Sequence, residues 1–254
     1  MKLSACVPYE KDGFLNYSGV NFILDQNKDL YEYAKEVNCW IYGLYLNKRL
    51  NVNNEVKKYF LLFWGEMHKT YQSIILLTQR GLEEDAFTLL RRLHEMLFKL
   101  LAISKDKANI ERIKKDELYK YYKFNKKIKN NEPGMEIFKE KNVNFDEAIG
   151  EKTTVAEWAK LAGMTNVYNF EYAILCNSSH AGYSSINSSS KKSESEIMIS
   201  LIPSYKNYNL IVTSAISIMF ELTKILNDEL NLQIDKNIFS NYEDKLEKYS
   251  EQDR

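Results

Sequence analysis

Helix-breaking residues are scarce in this sequence, which contains 9 Gly and 3 Pro among 254 residues. Because glycine and proline end or kink helices and mark turns, a chain with few of them favours long helices. Apolar residues recur at helical spacing along most of the chain, and we find no convincing alternating strand pattern. The sequence therefore predicts an all-α fold, an irregular helical bundle of about six to eight helices in one domain that spans residues 1–254.

The spacing of apolar residues places the individual helices. The strongly charged helix at 105–129 is interpreted as peripheral, with a solvated face rather than a binding patch. Residues 1–24 form an N-terminal extension, and residues 182–202 predict a flexible Ser-rich loop. The predicted helices lie at about residues 25–50, 55–79, 83–104, 105–129, 153–162, 167–181, 204–230 and 238–254.

Residues that are typical of helix ends flank two of the predicted helices. Thr153 or Thr154 precedes the helix at 153–162, and Glu157 completes a pattern that resembles a capping box. Gly163 suits the end of that helix, and Gly81 suits the end of the helix at 55–79. The short break after Gly81 indicates an antiparallel pair of helices.

The balance of charge limits the classes of partner. Lys+Arg is 35 and Asp+Glu is 35, so the formal net charge is zero. General nucleic-acid binders are usually basic, so we expect no extended DNA binding, whereas a brief contact with RNA is compatible with this composition. Near-zero net charge gives little electrostatic protection against self-association. We therefore expect a protein partner or a homo-oligomer.

Cysteine and histidine usage predicts neither a cofactor nor a metal site. Cys6, Cys39 and Cys176 are scattered and form no Cys-x-x-Cys pair, which favours a reducing, cytoplasmic compartment. His68 follows Glu66 by two positions and is interpreted as a surface or satisfied core residue, since no His-Glu-x-x-His pattern exists.

The N-terminus lacks the apolar core of a signal peptide. No run of about 18 apolar residues is found, so no membrane helix is predicted.

The first candidate for chemistry is a group of charges on the apolar helix at 83–104. Arg91 and Glu95 lie four residues apart and Arg92 and Glu95 three apart, so either pair meets on one helix face. One interpretation is an Arg–Glu pair that joins neighbouring helices. The other is an arginine that holds an anion beside a glutamate that handles protons or orients the arginine.

The second candidate is His180, which follows Asn177, Ser178 and Ser179 at the end of a predicted helix. A protonated histidine at a helix C-terminus gains from the helix dipole, which is a purely structural explanation. The functional alternative makes His180 a general acid or base, since its ordinary pKa lies near neutrality. Asn177 and Ser179 would then bind a ligand or phosphate.

These residues resemble two blocks of a bacterial family catalogued as domain-of-unknown-function family 5677. Leu90-Arg91-Arg92-Leu93-His94-Glu95 is similar to its Arg-x-Leu-x-Glu segment, with His94 where the family usually has an apolar residue. The resemblance spans about residues 55–183 and implies that Arg91, Glu95 and His180 are the family positions. Its second block is matched by Trp158, Tyr168, Tyr172 and Asn177-Ser178-Ser179-His180.

The helical form of that family is loosely similar to the HEPN proteins, many of which are ribonucleases in toxin–antitoxin and phage-defence systems. HEPN ribonucleases carry an arginine shortly before a histidine on one helix. The helix before His180 has no arginine at that spacing, so Arg91 or Arg92 would have to supply it.

Two functional hypotheses follow. The first is a non-enzymatic helical binding or sensor module in a bacterial stress or phage-defence system. The alternative is a HEPN-like, metal-independent ribonuclease effector. There His180 would transfer protons, Arg91 or Arg92 would stabilise the charge on the phosphorane, and Glu95 would orient the arginine.

Overall fold

A computed structural model describes residues 27–47, 54–129, 152–179, 190–192, 197–199 and 204–250 of the chain. These residues are predominantly helical, which confirms the predicted all-α bundle. The predicted extension at 1–24 and the uncertain stretch at 130–151 lie outside the described residues. The helices are α1 (Lys28–Asn47), α2 (Glu55–Gln79), α3 (Glu83–Lys105), α4 (Asn109–Lys129), α5 (Val155–Ala162), α6 (Thr165–Val167), a π-helical turn (Tyr168–Tyr172), α7 (Ala173–Ser179), α8 (Tyr208–Leu230) and α9 (Lys236–Ser250).

Local sequence signals determine where several helices begin and end. The Asn54 side chain accepts a hydrogen bond from the Lys57 N–H and so caps α2, which has the predicted bounds. Thr154, rather than Thr153, caps α5 in a complete capping box with Glu157. Gly163 ends that helix with φ +71°, a left-handed conformation that favours glycine.

The residues group into two compact units, Met1–Leu97 with Asn166–Arg254 and Phe98–Thr165. In the first unit α8 is the central element and packs against α1, α2 and α9. The prediction of a single domain stays a prediction. The α8 side chains that are fully or nearly fully buried include Ile211, Val212, Ala215, Ile216, Met219, Leu222, Thr223 and Leu226.

Sequence analysis predicted no membrane-spanning helix, yet α8 is long and apolar enough to cross a membrane by length and composition alone. Its apolar window has a mean hydropathy of 1.5, and 61% of that window is buried inside the structure. The apolar composition of α8 is accounted for by its place in the core, because a central helix must be apolar on most of its circumference.

The second unit is organised by a buried carboxylate on α4. Asp116 accepts hydrogen bonds from the Thr153 N–H at 2.7 Å and from Trp158 Nε1 at 3.5 Å.

Lys105 extends α3 by one residue beyond the prediction, and Asp106 Oδ1 accepts from the Ala108 N–H in the turn that follows. Because this Asp turn uses the residues after Lys105, α4 begins at Asn109 rather than at Lys105.

A short antiparallel hairpin occupies part of the segment that was predicted to be a flexible loop. Strand β1 (Ser190–Lys192) pairs with β2 (Ile197–Ile199), in the register Ser190 opposite Ile199. The predicted loop therefore contains a short hairpin at these residues, and its flexibility stays a prediction. Ile197 and Ile199 are β-branched and favour extended backbone, but three residues are too few to give a visible alternating pattern.

The buried carboxylate of Glu83 connects the α2–α3 turn to the start of α8. It accepts hydrogen bonds from the Ser204 hydroxyl at 2.7 Å, the Asn207 N–H at 2.6 Å and the Asn207 side-chain amide at 3.0 Å. Asn207 is the N-cap residue of α8. A negative charge at a helix N-terminus is stabilised by the unpaired N–H groups and the helix dipole. Gly81 adds a backbone bond, since its carbonyl accepts from the Ser204 N–H.

Replacing Glu83 with Gln is expected to lower the free energy of unfolding by about 2–3 kcal/mol, because a buried, charge-assisted network loses its acceptor charge. Chemical denaturation followed by circular dichroism measures this change. Glu84→Gln is the matched control, since Glu84 lies in the same first turn of α3 but is exposed. Equal destabilisation by the two substitutions would show that Glu83 acts only through the dipole of α3.

Candidate functional site

Arg91 and Glu95 lie at the margin of the apolar face of α3. Leu90, Leu93 and Leu97 on this helix are buried, whereas the side chains of Arg91 and Glu95 are 29% and 31% exposed. Residues four apart lie on neighbouring turns of one helix face, so the two charges meet within α3. Both are partly shielded from water, where an ionised group requires a partner.

A π-helical turn brings Tyr172 to this pair. Val167 before the turn and Ala173 after it keep right-handed helical dihedrals, so the chain is continuously helical from α6 into α7. Such turns are rare inside helices and are frequent at functional sites. Tyr172 is buried, and its ring stacks on that of Tyr168 with 5.2 Å between ring centroids.

Arg91, Tyr172 and Glu95 form a hydrogen-bonded group, here named the Arg–Tyr–Glu cluster. The Arg91 Nε–H donates to the Tyr172 hydroxyl at 2.9 Å, and that hydroxyl donates to Glu95 Oε1 at 2.5 Å. Arg91 Nε also lies 3.3 Å from Glu95 Oε1. Hydrogen bonds to ionised groups are shorter and stronger than neutral ones. The cluster therefore joins α3 firmly to the π-helical turn.

The contacts within the cluster set the protonation states of its members. The hydrogen bond to Tyr172 raises the pKa of Arg91, so the guanidinium remains charged. Burial, followed by the hydrogen bond to Glu95, raises the pKa of Tyr172 well above its ordinary value. The phenol therefore remains protonated at neutral pH and acts as a donor to the carboxylate rather than as a base.

Arg92 lies outside this cluster. Its side chain is more than half exposed, and its Nη2 atom lies 3.5 Å from Glu66 Oε2 on α2. Glu66 also pairs with Lys69, and this hydrogen bond is the main reason that the pKa of the Glu66 carboxyl is lowered. Exposed ion pairs contribute little to stability. Of the two candidate arginines, only Arg91 lies in a partly buried, hydrogen-bonded environment.

His94 is a neutral core residue. It is 3% exposed, and burial lowers its pKa to about 4, so the imidazole is uncharged at neutral pH. Its Nε2 lies 3.8 Å from Glu171 Oε2, and burial raises the pKa of Glu171. That distance exceeds a hydrogen bond, and the two pKa directions oppose an ion pair. This environment suits a position where the resembled family usually has an apolar residue.

The predicted His180 lies outside the described residues, so its convergence with Arg91 and Glu95 stays a prediction. Asn177 and Ser179, the predicted ligand-binding residues, are described only as backbone in the last turns of α7. Of the three charged members of the predicted site on α3, the structure brings together Arg91 and Glu95, and it adds Tyr172 from the segment that leads to His180.

His68 is confirmed as a satisfied core residue. Its Nε2 lies 2.8 Å from Asn38 Oδ1, which also accepts a hydrogen bond from Gln72 Nε2 at 3.0 Å. Burial lowers the pKa of His68, which favours the neutral form. These bonds join α1 to α2. Within the described ranges, no group of three or more His, Cys, Asp or Glu side chains could hold a metal ion.

Tyr172 is the site residue that sequence analysis did not select. It entered only as one position of the family resemblance, because one tyrosine among the 18 of the chain carries no local signal. Its bond to Arg91 joins residues 81 positions apart, and no spacing rule predicts such a contact. The stacked Tyr168 is four residues earlier, which is the one local pattern that marks this segment.

A family model described as a family of unknown function, DUF5677, matches residues 57–197. The match includes the whole Arg–Tyr–Glu cluster and the predicted His180. No curated protein and no solved structure matches the chain significantly.

Replacing Tyr172 with Phe is expected to lower the free energy of unfolding by about 2 kcal/mol, because both hydrogen bonds of its hydroxyl are lost. For a chain of this length that corresponds to a melting temperature lower by about 4–8 °C. Tyr168→Phe is the matched control: it removes a hydroxyl that has no partner among the described residues and keeps the ring stack. If both variants melt together, the cluster does not stabilise the fold.

Stability is expected to fall as the pH drops from about 6.5 toward 4, because unfolded His94 binds a proton that the folded state excludes. From pH 7 to pH 5 this single group accounts for a loss of about 2 kcal/mol. Urea unfolding of the wild type and of His94→Leu at both pH values measures it. His68 and Glu171 titrate in both proteins, so an unchanged pH dependence in the variant would contradict the assignment.

Proposed function

Since the chain belongs to the family of unknown function DUF5677, which names no activity, we propose from its geometry that it is a non-enzymatic helical module that binds or senses a partner. The partner would be another protein or a second copy of the chain, and the setting a cytoplasmic bacterial stress or phage-defence system. The observation that carries this proposal is the Arg–Tyr–Glu cluster.

The cluster gives Arg91 and Glu95 a structural role. A catalytic arginine needs donors aimed at the position where substrate charge develops. In this protein the Arg91 Nε–H is directed at Tyr172, and Glu95 Oε1 on the same helix lies 3.3 Å from that nitrogen. The three side chains fix the position of the π-helical turn on α3. This supports the interpretation of the pair as a connection between helices.

The segment held by the cluster exposes apolar side chains. Tyr172 and Leu175 face inward and are buried, whereas Phe170 and Ile174 are 70% and 57% exposed. Phe170 and Ile174 lie four residues apart, so both project on the outer side of the same helical segment. Large apolar side chains that remain exposed together are typical of interaction surfaces. A partner that offers an apolar groove would bury them.

The ribonuclease alternative assigns the same residues to catalysis and makes a different prediction. It requires His180 together with Arg91 or Arg92 and predicts that RNA is cleaved. The two arginines lie in different environments, Arg91 in the cluster and Arg92 with Glu66. This alternative stays a prediction.

One set of variants separates the two functions. Wild type, Arg91→Ala, Arg92→Ala and His180→Ala are expressed inducibly, total RNA is examined after induction, and the purified proteins are melted. A binding module leaves RNA intact in every case, and Arg91→Ala melts about 3–6 °C lower because the cluster is broken. Arg92→Ala is the matched neighbour, and its melting temperature is expected to change by less than about 2 °C.

RNA fragmentation by the wild type that disappears in a fully folded His180→Ala would overturn the proposal in favour of the ribonuclease. An Arg91→Ala protein that melts with the wild type would remove its main support, since the cluster would then have no structural role.

A further inference from the structure

Helix α4 concentrates positive charge in a chain that has no net charge. It contains eight Lys and Arg against three Asp and Glu, while the whole chain has 35 of each sign. Its residues 118–129 include five lysines and four aromatic residues and no carboxylate. A local excess of this kind creates a positive surface potential that the total charge conceals.

Cations and tyrosines of α4 share one face of the helix. At about 100° per residue, six side chains fall within an arc of about 100°, and they extend along about 21 Å of the helix axis. Direct contact supports this placement, because Lys123 Nζ lies 5.5 Å from the centre of the Tyr119 ring. These six residues, named the Tyr–Lys stripe, are Arg112, Lys115, Tyr119, Tyr122, Lys123 and Lys126.

The stripe is accessible and its lysines are not neutralised by neighbours. The four cations and Tyr122 are exposed. Off the stripe, Lys114 and Lys120 pair with the glutamates three residues before them. In the part of the chain that the structure describes, no carboxylate lies within ion-pair distance of Lys115, Lys123 or Lys126. These three ammonium groups are therefore available to an external anion.

Helix α4 is also anchored within its own unit by residues outside the stripe. Ile110 and Asp116 are buried, and Asp116 holds the Thr153 N–H and the Trp158 indole. A helix that inserts into a lipid surface needs an apolar face of its own that remains free for the membrane. The exposed stripe of α4 instead has its two tyrosines flanked on both sides by basic residues. This arrangement disfavours a membrane as the occupant.

We propose that the Tyr–Lys stripe binds single-stranded nucleic acid, with phosphates at the lysines and an unpaired base stacked on Tyr122. Single-strand binders combine a basic track with aromatic side chains on which bases stack. In a duplex the base faces are covered, so the tyrosines would add nothing and affinity would depend on the cations alone. This inference goes beyond the proposed function, which concerns α3, the π-helical turn and α7.

Fluorescence anisotropy of the full chain with labelled 20-mers of oligo(U) and oligo(dT), and with a duplex of the same length, tests the proposal. The wild type is expected to bind the single strands with a dissociation constant on the order of 10 µM in low salt. In Lys115→Gln/Lys123→Gln/Lys126→Gln the affinity is expected to fall at least tenfold. The slope of log affinity against log salt should become shallower by about 2, since three phosphate contacts are lost.

The matched control is Lys58→Gln/Lys236→Gln/Lys248→Gln, which removes the same charge from exposed positions on α2 and α9. It is expected to bind within about twofold of the wild type, because its lysines lie outside the stripe. Equal loss of affinity in the two triple variants would overturn the proposal, since net charge alone would then explain binding. Circular dichroism establishes that both are folded.

The tyrosine contribution is tested separately. Tyr122→Ala is expected to weaken single-strand binding about tenfold without changing the salt slope, because stacking is lost while phosphate contacts remain. Tyr122→Phe keeps the ring and should restore binding, and Tyr42→Ala removes a comparably exposed tyrosine on α1 as a control. Failure to bind either single strand overturns the proposal, as does tighter binding to the duplex or to phosphatidylserine vesicles.

Discussion

The burial of α8 is the constraint on which the first unit depends. Its apolar side chains contact α1, α2 and α9, and burial of apolar surface is the dominant favourable contribution to folding. That burial is not directional, so it does not by itself specify where α8 begins. The carboxylate of Glu83 supplies the direction, because it holds Ser204 and Asn207 at the N-terminus of α8. The α2–α3 turn and the central helix are thereby fixed to each other.

The Arg–Tyr–Glu cluster bears on which of two roles Arg91 and Glu95 have. An arginine and a glutamate four residues apart are compatible with catalysis and with structural pairing. Tyr172 supports the structural role that we propose, because its hydroxyl accepts from Arg91 and donates to Glu95. Tyr172 is the last residue of the π-helical turn, and Phe170 in that turn and Ile174 in α7 are exposed. The cluster and the exposed pair thus belong to one continuous helical segment.

Charge in this protein is distributed unevenly, and the total conceals it. The balance of 35 positive and 35 negative residues argues against extended nucleic-acid binding, and the many charges of α4 by themselves predict a solvated helix. Once the helix bounds are known, four of the eight cations of α4 fall on one face together with two tyrosines. The face, rather than the sum of charges, determines which ligands a surface can hold.

The sequence by itself determined the helical class and many of the helix bounds. Scarce glycine and proline, apolar spacing, and caps such as Asn54 and Thr154 act over a few residues, and α2 has the predicted ends. The sequence also placed Arg91 and Glu95 on one face, because that contact is local. Tertiary structure decided what lies opposite them. The hydrogen bond from Tyr172 to Glu95 joins residues 77 positions apart, and the bond from Asn207 to Glu83 joins residues 124 positions apart. Tertiary packing selects such partners, because the short-range spacing of residues in the sequence does not encode them.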